Sequence, residues 1–373
     1  MAGGADGGWA TRRPLVVIVI VAIGLLAGAT ALLASMHAER RAALAQAHRD
    51  RGDALVARGE LAAAVVEYRS ALALARGHLE TGRALALALL QLGRVGEAEA
   101  YLTDLLREDP TSGPLNLAMA RVQALRDRHD PARGYYQRAI YGVWPDGAPN
   151  ARIAVRFELV EFLEDHGTRE EVVSELLRLK AELPPEDVAQ ARRAASRLVS
   201  AGALDAAIQL LRATRAEVPD DVELLSDLAA AEAADGRRAS AAATLRRALA
   251  INGDRADLRD RLRVIERVLA LDPNLPRLRL ATRARRARQV LAAVVAQTRA
   301  CAGSTPDAAA AATEADARLQ RRASVDAEAA EAELALATRL WHATPACHDA
   351  SVEARALAEV LAGAAAPAEE PAP

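Results

Sequence analysis

Between residues 45 and 255, apolar and small side chains return in fixed columns about 34 residues apart, with charged residues filling the positions between them. Within each copy the apolar positions keep helical spacing in two blocks. A glycine column separates the blocks: Gly59, Gly93, Asp127, Gly167, Gly202 and Gly236, at intervals of 34, 34, 40, 35 and 34. Seven residues before it stands a small or slim residue, Gly52, Ala86, Ala120, Val160, Ala195 or Ala229. Five after it come Ala64, Ala98, Ala132, Val172, Ala207 and Ala241, and nine after it Tyr68, Leu102, Tyr136, Leu176, Leu211 and Leu245. The position twelve after holds Ala71, Leu105, Ala139, Leu179, Thr214 or Ala248. The position seventeen after holds Pro110, Pro184 and Pro219, with Arg76, Trp144 and Gly253 as departures.

These columns predict a repeated helix hairpin. The glycine takes the left-handed conformation that ends the first helix, and the proline stops the second. Small residues let the two helices approach closely, and a tyrosine or leucine fills the space between hairpins. One hairpin alone leaves its apolar face open, so stability must come from stacking on neighbours.

A period near 34 with this column set resembles the tetratricopeptide repeat. The second copy, residues 79–112, carries Leu85, Ala86, Leu89, Gly93, Ala98, Leu102, Leu105 and Pro110 in the expected places. Six copies are expected, at 45–78, 79–112, 113–146, 153–186, 188–221 and 222–255. Copy three departs most, with Asp127 for glycine and Gln123 for an apolar residue, and extra residues at 144–150 lengthen the link to copy four. The resemblance implies an all-α, right-handed superhelical solenoid of antiparallel hairpins. It also implies a protein or peptide ligand along the concave face of the first helices. That face would include Arg49, Asp53, Arg83, Leu87, Arg121, Phe157, Glu161, Glu164, Arg192 and Ser196. The lysine and asparagine set with which some relatives clamp a terminal carboxylate is absent.

Ahead of the repeats, residues 1–14 are glycine-rich and then basic, and are expected to be disordered on the cytoplasmic side. Residues 15–35 form an uncharged apolar run long enough for a transmembrane helix and contact with a lipid bilayer. A cleaved signal peptide, with Ala29-Thr30-Ala31 as the cleavage site, is the competing reading, although the run exceeds the ~7–15 residues such segments use. Arg12 and Arg13 precede the run and Arg40 and Arg41 follow it, so flanking charge alone does not orient it. The very short basic N-terminus favours a bacterial inner-membrane protein with its repeats in the periplasm. Repeats on the cytoplasmic face are the alternative.

After the repeats, residues 256–301 are expected to form a capping hairpin, needed to cover the open face of the last copy. Residues 313–362 follow as a second hairpin that opens with one long helix, about 313–342. Residues 364–373, rich in alanine, proline and glutamate, read as a disordered tail. Self-association through the long helix is the competing functional class.

Composition narrows the chemistry. Aromatic residues at 3% and scant alternation argue against sheets, and a net charge of −2 gives no global reason for nucleic acid as partner. Lys180 is the sole lysine, so no Walker A loop exists. No other catalytic motif is present, and neither enzyme activity nor a cofactor is expected. Cys301 and Cys347 are the only cysteines, and in an oxidising compartment they are expected to form a disulfide. Free thiols are one alternative. A metal site that adds His342 and His348 is another, but it lacks a recognised zinc spacing. Arg277, Arg279, Arg283, Arg285, Arg286 and Arg288 crowd one segment; the expectation there is a solvated face paired with nearby carboxylates, and contact with lipid headgroups is the alternative if the domain lies against a membrane.

Overall fold

The computed structural model describes residues 12–75, 78–145, 149–300, 306–348 and 350–365, the side chains of 12–22, 149, 300, 306–307 and 364–365 excepted. Among them are seventeen α-helices, one 3-10 turn and no strand. The chain divides into two compact units, Met1–Val172 and Val173–Pro373.

The first unit contains α1 (Arg12–Ala57), α2 (Leu61–Leu74), α3 (Leu79–Gln91), α4 (Val95–Glu108), α5 (Gly113–Leu125), α6 (His129–Tyr141) and α7 (Pro149–His166). Consecutive helices pack against each other from α1 to α7. Ala64, Tyr68, Leu85, Ala86, Leu89, Ala98, Leu102 and Met119 form one buried cluster. Close approach is enforced where the columns predict it: a Cβ added at Gly52 would lie 2.6 Å from the Tyr68 ring. The inserted link after α6 is held by Trp144, which donates from Nε1 to Ala139 O at 2.8 Å and lies against Gly113.

The boundary between the units falls inside α8 (Arg169–Glu182). The second unit continues with α9 (Val188–Ser200), α10 (Leu204–Glu217), α11 (Val222–Ala234) and α12 (Arg238–Ile251) as two further hairpins. Then come α13 (Ala256–Leu271), α14 (Leu280–Ala300), α15 (Pro306–Gln320), α16 (Ala327–Ala343) and α17 (Val352–Ala365). Leu225, Ala229, Ala241, Leu245, Leu258 and Ile265 join the last hairpin to α13, so α13 covers its open face.

The turn inside each hairpin is the same in five copies. The residue after the glycine column donates its N–H back across the turn: Glu60 to Leu55 O at 2.9 Å, Arg94 to Leu89 O at 2.8 Å, Arg128 to Gln123 O at 3.0 Å, Ala203 to Leu198 O at 2.8 Å and Arg237 to Glu232 O at 2.8 Å. This is the Schellman closure, and it requires a left-handed residue in the glycine position. Gly59, Gly93, Gly202 and Gly236 have φ between 73 and 78°, and Asp127 adopts φ 55° without being glycine. Copy four corrects the expectation, because Gly167 is not left-handed. There Gly167 N donates to Leu163 O at 2.8 Å and continues the helix. A capping box replaces the Schellman turn: Thr168 N donates to Glu171 Oε2 at 2.9 Å and Glu171 N to Thr168 Oγ1 at 3.3 Å.

The C-terminal region departs from two separate hairpins. The single helix expected over 313–342 is divided into α15 and α16. The break falls where Asp326 caps α16 by accepting from Ala329 N at 2.6 Å. Pairing also differs, because α17 packs on α13 while α14 packs mainly on α16. Val268, Leu271, Val290, Leu291, Val294, Leu336, Leu340, Trp341, Leu357 and Val360 make one core from all of these helices. Arg267 seals the α13–α17 contact with a bidentate bond to Glu353 at 2.6 and 2.7 Å. The cap is a bundle.

At the other end, α1 runs as one helix through the segment expected to span a membrane. Among the described residues no helix is long and apolar enough to cross a membrane, and the side chains of 15–22, the first part of that segment, lie outside them. The expectations for residues 1–11 and for 366–373 of the tail also lie outside the described residues.

Candidate functional site

In the second unit, α9 and α11 are the first helices of adjacent hairpins, and a cleft of about 480 Å³ opens between them. Arg192, Ser196 and Val199 line it from α9, Asp227 and Ala230 from α11, and Leu211 of α10 lies at its floor. The small columns make this space. Ala195 is the slim residue of its column and is buried together with Ala191, Ala194 and Leu198 on one face of α9, while Ser196 and Val199 are exposed on the side of the cleft.

Arg192 and Asp227 give the cleft its polarity. Arg192 donates from Nε to Asp227 Oδ2 at 2.6 Å, and Glu223 lies 3.7 Å away. The bond to Asp227 raises the guanidinium pKa further above its ordinary value, so Arg192 is a fixed cation. Both side chains remain more than a third exposed, and pairs of this kind are worth about 0.2–1 kcal/mol. An incoming carboxylate can therefore take Arg192, or an incoming cation Asp227, at small cost. Beside the pair, Val199, Ala230 and Leu211 supply an apolar wall.

In the first unit the same register is largely engaged with itself. Arg121 forms a two-pronged bond to Glu158, 2.7 Å at each oxygen, which raises the Arg121 pKa. Tyr136 donates its hydroxyl to Glu158 at 3.0 Å, and Tyr68 donates to Asp53 at 2.7 Å. Burial first, and then the adjacent carboxylate, raises both phenol pKa values. Arg83 turns to Glu80 at 2.7 Å, and Arg49 lies 4.0 Å from Asp53. Leu87 is half-buried within the core cluster of this unit.

Phe157 must be removed from the groove. It is 1% exposed, and Val155, Leu159 and Val160 are buried with it because α7 is covered on more than one face. Glu161 and Glu164 are exposed on the same helix. Of the ten residues expected on the concave face, the structure brings Arg192 and Ser196 to one cleft. Asp227, Val199 and Ala230 were missed, although Glu158 and Asp227 share one column nine residues before Gly167 and Gly236.

Two polar residues replace leucine in the column four before the glycine. Gln123 donates to Glu99 at 3.0 Å, and Glu232, 1% exposed, accepts from Arg212 at 2.6 Å and Thr244 at 2.8 Å. Each reaches back to the second helix of the preceding copy. Buried polar groups placed this way fix which helix face meets which.

Cys347 is buried in the 3-10 turn Pro345–Cys347 and takes part in a disulfide, while Cys301 lies outside the described residues. His348 is stacked on Trp341 with ring centroids 3.6 Å apart, and His342 is exposed. Among the described residues no group of three or more histidine, cysteine or carboxylate side chains is placed to hold a metal. The expected pairing of the arginine-rich segment is also corrected. Arg288 meets Glu333 at 3.1 Å and Arg286 meets the Asp272 carbonyl at 2.8 Å, whereas Arg277, Arg279, Arg283 and Arg285 form no ion pair among the described residues.

No protein-family model and no curated protein matches the sequence. The structure is similar to that of YrrB, described as a tetratricopeptide-repeat protein with an unusual peptide-binding site, at 16% identity over 52% of this chain and 95% of that one, TM-score 0.36. It is similar to PilF of Pseudomonas aeruginosa at 14% identity, covering 59% and 97% of the two chains, TM-score 0.39. A tetratricopeptide repeat protein from Parabacteroides merdae is 13% identical over 79% of this chain and 98% of its own, TM-score 0.37.

Proposed function

We propose that this chain is a non-enzymatic scaffold that recognises an extended segment of another protein through the cleft between α9 and α11. The observation that supports this most is the combination found there: an open space of about 480 Å³, an apolar wall and one exchangeable ion pair, Arg192–Asp227. An extended peptide can place its backbone over Ser196 and Ser200 and an acidic or basic side chain on the pair.

In the same reading the scaffold is anchored in a bacterial inner membrane by residues 15–35, with its repeats in the periplasm. Two features of α1 support the anchor. Leu25 and Leu26 are each 70% exposed, with no helix described against them. Thr30 Oγ1 donates to Ala27 O at 2.9 Å and Ser35 Oγ to Leu32 O at 2.8 Å, which leaves no hydroxyl proton needing water. A periplasmic location also suits a bond between Cys301 and Cys347.

Selection of displayed peptides on the detergent-solubilised full chain tests the cleft, with Ser196→Trp as the counter-screen. Ser196 is exposed, so the indole fills the cleft without entering the core. Peptides recovered on the native chain should bind the variant at least about tenfold more weakly. Peptides that bind both equally overturn the assignment. Protease accessibility of the repeats in spheroplasts tests the side of the membrane, and protection of the repeats would count against the periplasm.

A further inference from the structure

From residue 273 to residue 306 the sequence contains seven arginines and no aspartate or glutamate. Elsewhere arginines are interleaved with acids, and they are seen paired with them, as in Arg121–Glu158, Arg192–Asp227 and Arg267–Glu353. At the start of α14 that pattern stops. Arg277, Arg279, Arg283 and Arg285 have no described ionic partner, and Arg286 spends a donor on a backbone carbonyl, which leaves its charge uncompensated.

The apolar stripe of the same helix runs out of cover at the same place. Leu280, Ala284, Ala287, Leu291 and Val294 follow one another at helical spacing. The last four are buried in the bundle core, but Leu280 is 43% exposed. An exposed leucine therefore lies in a segment whose neighbouring arginines, Arg277, Arg279, Arg283 and Arg285, have no described ionic partner, with no aromatic residue in the segment to stack on a base. Guanidinium forks match phosphate oxygens, and the alkyl group suits the boundary between headgroups and acyl chains.

We propose that the Arg277–Arg286 end of this bundle docks on the headgroups of an anionic phospholipid surface. The choice of a bilayer over a soluble polyanion rests on the anchored reading of residues 15–35. Docking is electrostatic, so it depends on lipid charge and is screened by salt.

Phenylglyoxal labelling of the full chain tests this in nanodiscs of phosphatidylcholine alone or of phosphatidylcholine with phosphatidylglycerol, read by mass spectrometry. Arg277, Arg279, Arg283 and Arg285 should be modified about fivefold more slowly in the anionic discs. Arg107, on α4, should not change, and the difference should vanish in about 1 M salt. Equal modification in both kinds of disc overturns the proposal, as does protection that is the same in neutral discs. Failure of the chain to enter neutral discs refutes the anchor instead. The comparison between lipids still decides the arginine surface in that case, because peripheral contact with anionic discs slows labelling equally.

Discussion

Gly93 and Gly96 are three residues apart, and an alanine methyl would meet nothing within 4 Å at either position. Packing is therefore the same in the two cases, and backbone conformation alone sets the outcome. Gly93 has φ 73° in the Schellman turn, where an L-residue costs roughly 1–2 kcal/mol. Stiffening of the unfolded chain returns about 0.4–1 kcal/mol, so Gly93→Ala should destabilise by about 1 kcal/mol net. Gly96 lies in the first turn of α4 with helical backbone, and Gly96→Ala should stabilise by about 0.5 kcal/mol. Native-state hydrogen exchange reads both locally, since the Arg94 amide bonds to Leu89 O at 2.8 Å across the turn. Gly93→Ala should speed exchange at that amide about fivefold, and Gly96→Ala should slow it. The same sign for both substitutions would refute the assignment of the glycine column to a left-handed closure.

Other outcomes follow from the second unit. Asp257 is bonded to Arg255 through its carboxylate, which lowers its pKa to about 2. The contribution of the pair should be complete above the ordinary carboxylate value of about 4 and lost as pH falls through about 2. Carbon-detected NMR titration of Asp257 checks this, and Arg255→Gln should return the midpoint toward 4. Peptide mapping without reductant should recover Cys301 linked to Cys347. Reduction should cost about 4 kcal/mol by the chain-entropy relation for their 46-residue loop, read as a lower denaturation midpoint.

The repeat was legible because its columns are burial columns. Ala64, Ala98, Ala132, Ala207 and Ala241 are all fully buried, as a fixed hairpin geometry demands. Copy four shows where that legibility stops. Gly167 occupies the glycine column, but the following Thr168-x-x-Glu171 capping box makes a different turn, and only the competition between the two motifs decides it. Phe157 was misplaced for a related reason, since a column position exposes its residue only while the helix keeps one free face. Ser324-x-Asp326 marks the start of α16 in plain sequence, but strong helix formers on both sides masked it. The ion pairs of the groove were illegible because their acids come from a neighbouring copy: Arg121 and Glu158 are 37 residues apart, and Arg192 and Asp227 are 35.

Photo-crosslinking in cells addresses partner recognition by the cleft directly, with the reactive residue placed at Ser196 on α9 or at Ala213, which is exposed on the second helix of the same hairpin. Capture of one discrete partner from position 196, lost when Asp227 and Arg192 are both replaced by alanine and absent from position 213, is the expected result. The same partner captured from position 213 and not from 196 would place recognition on the opposite face and contradict the account.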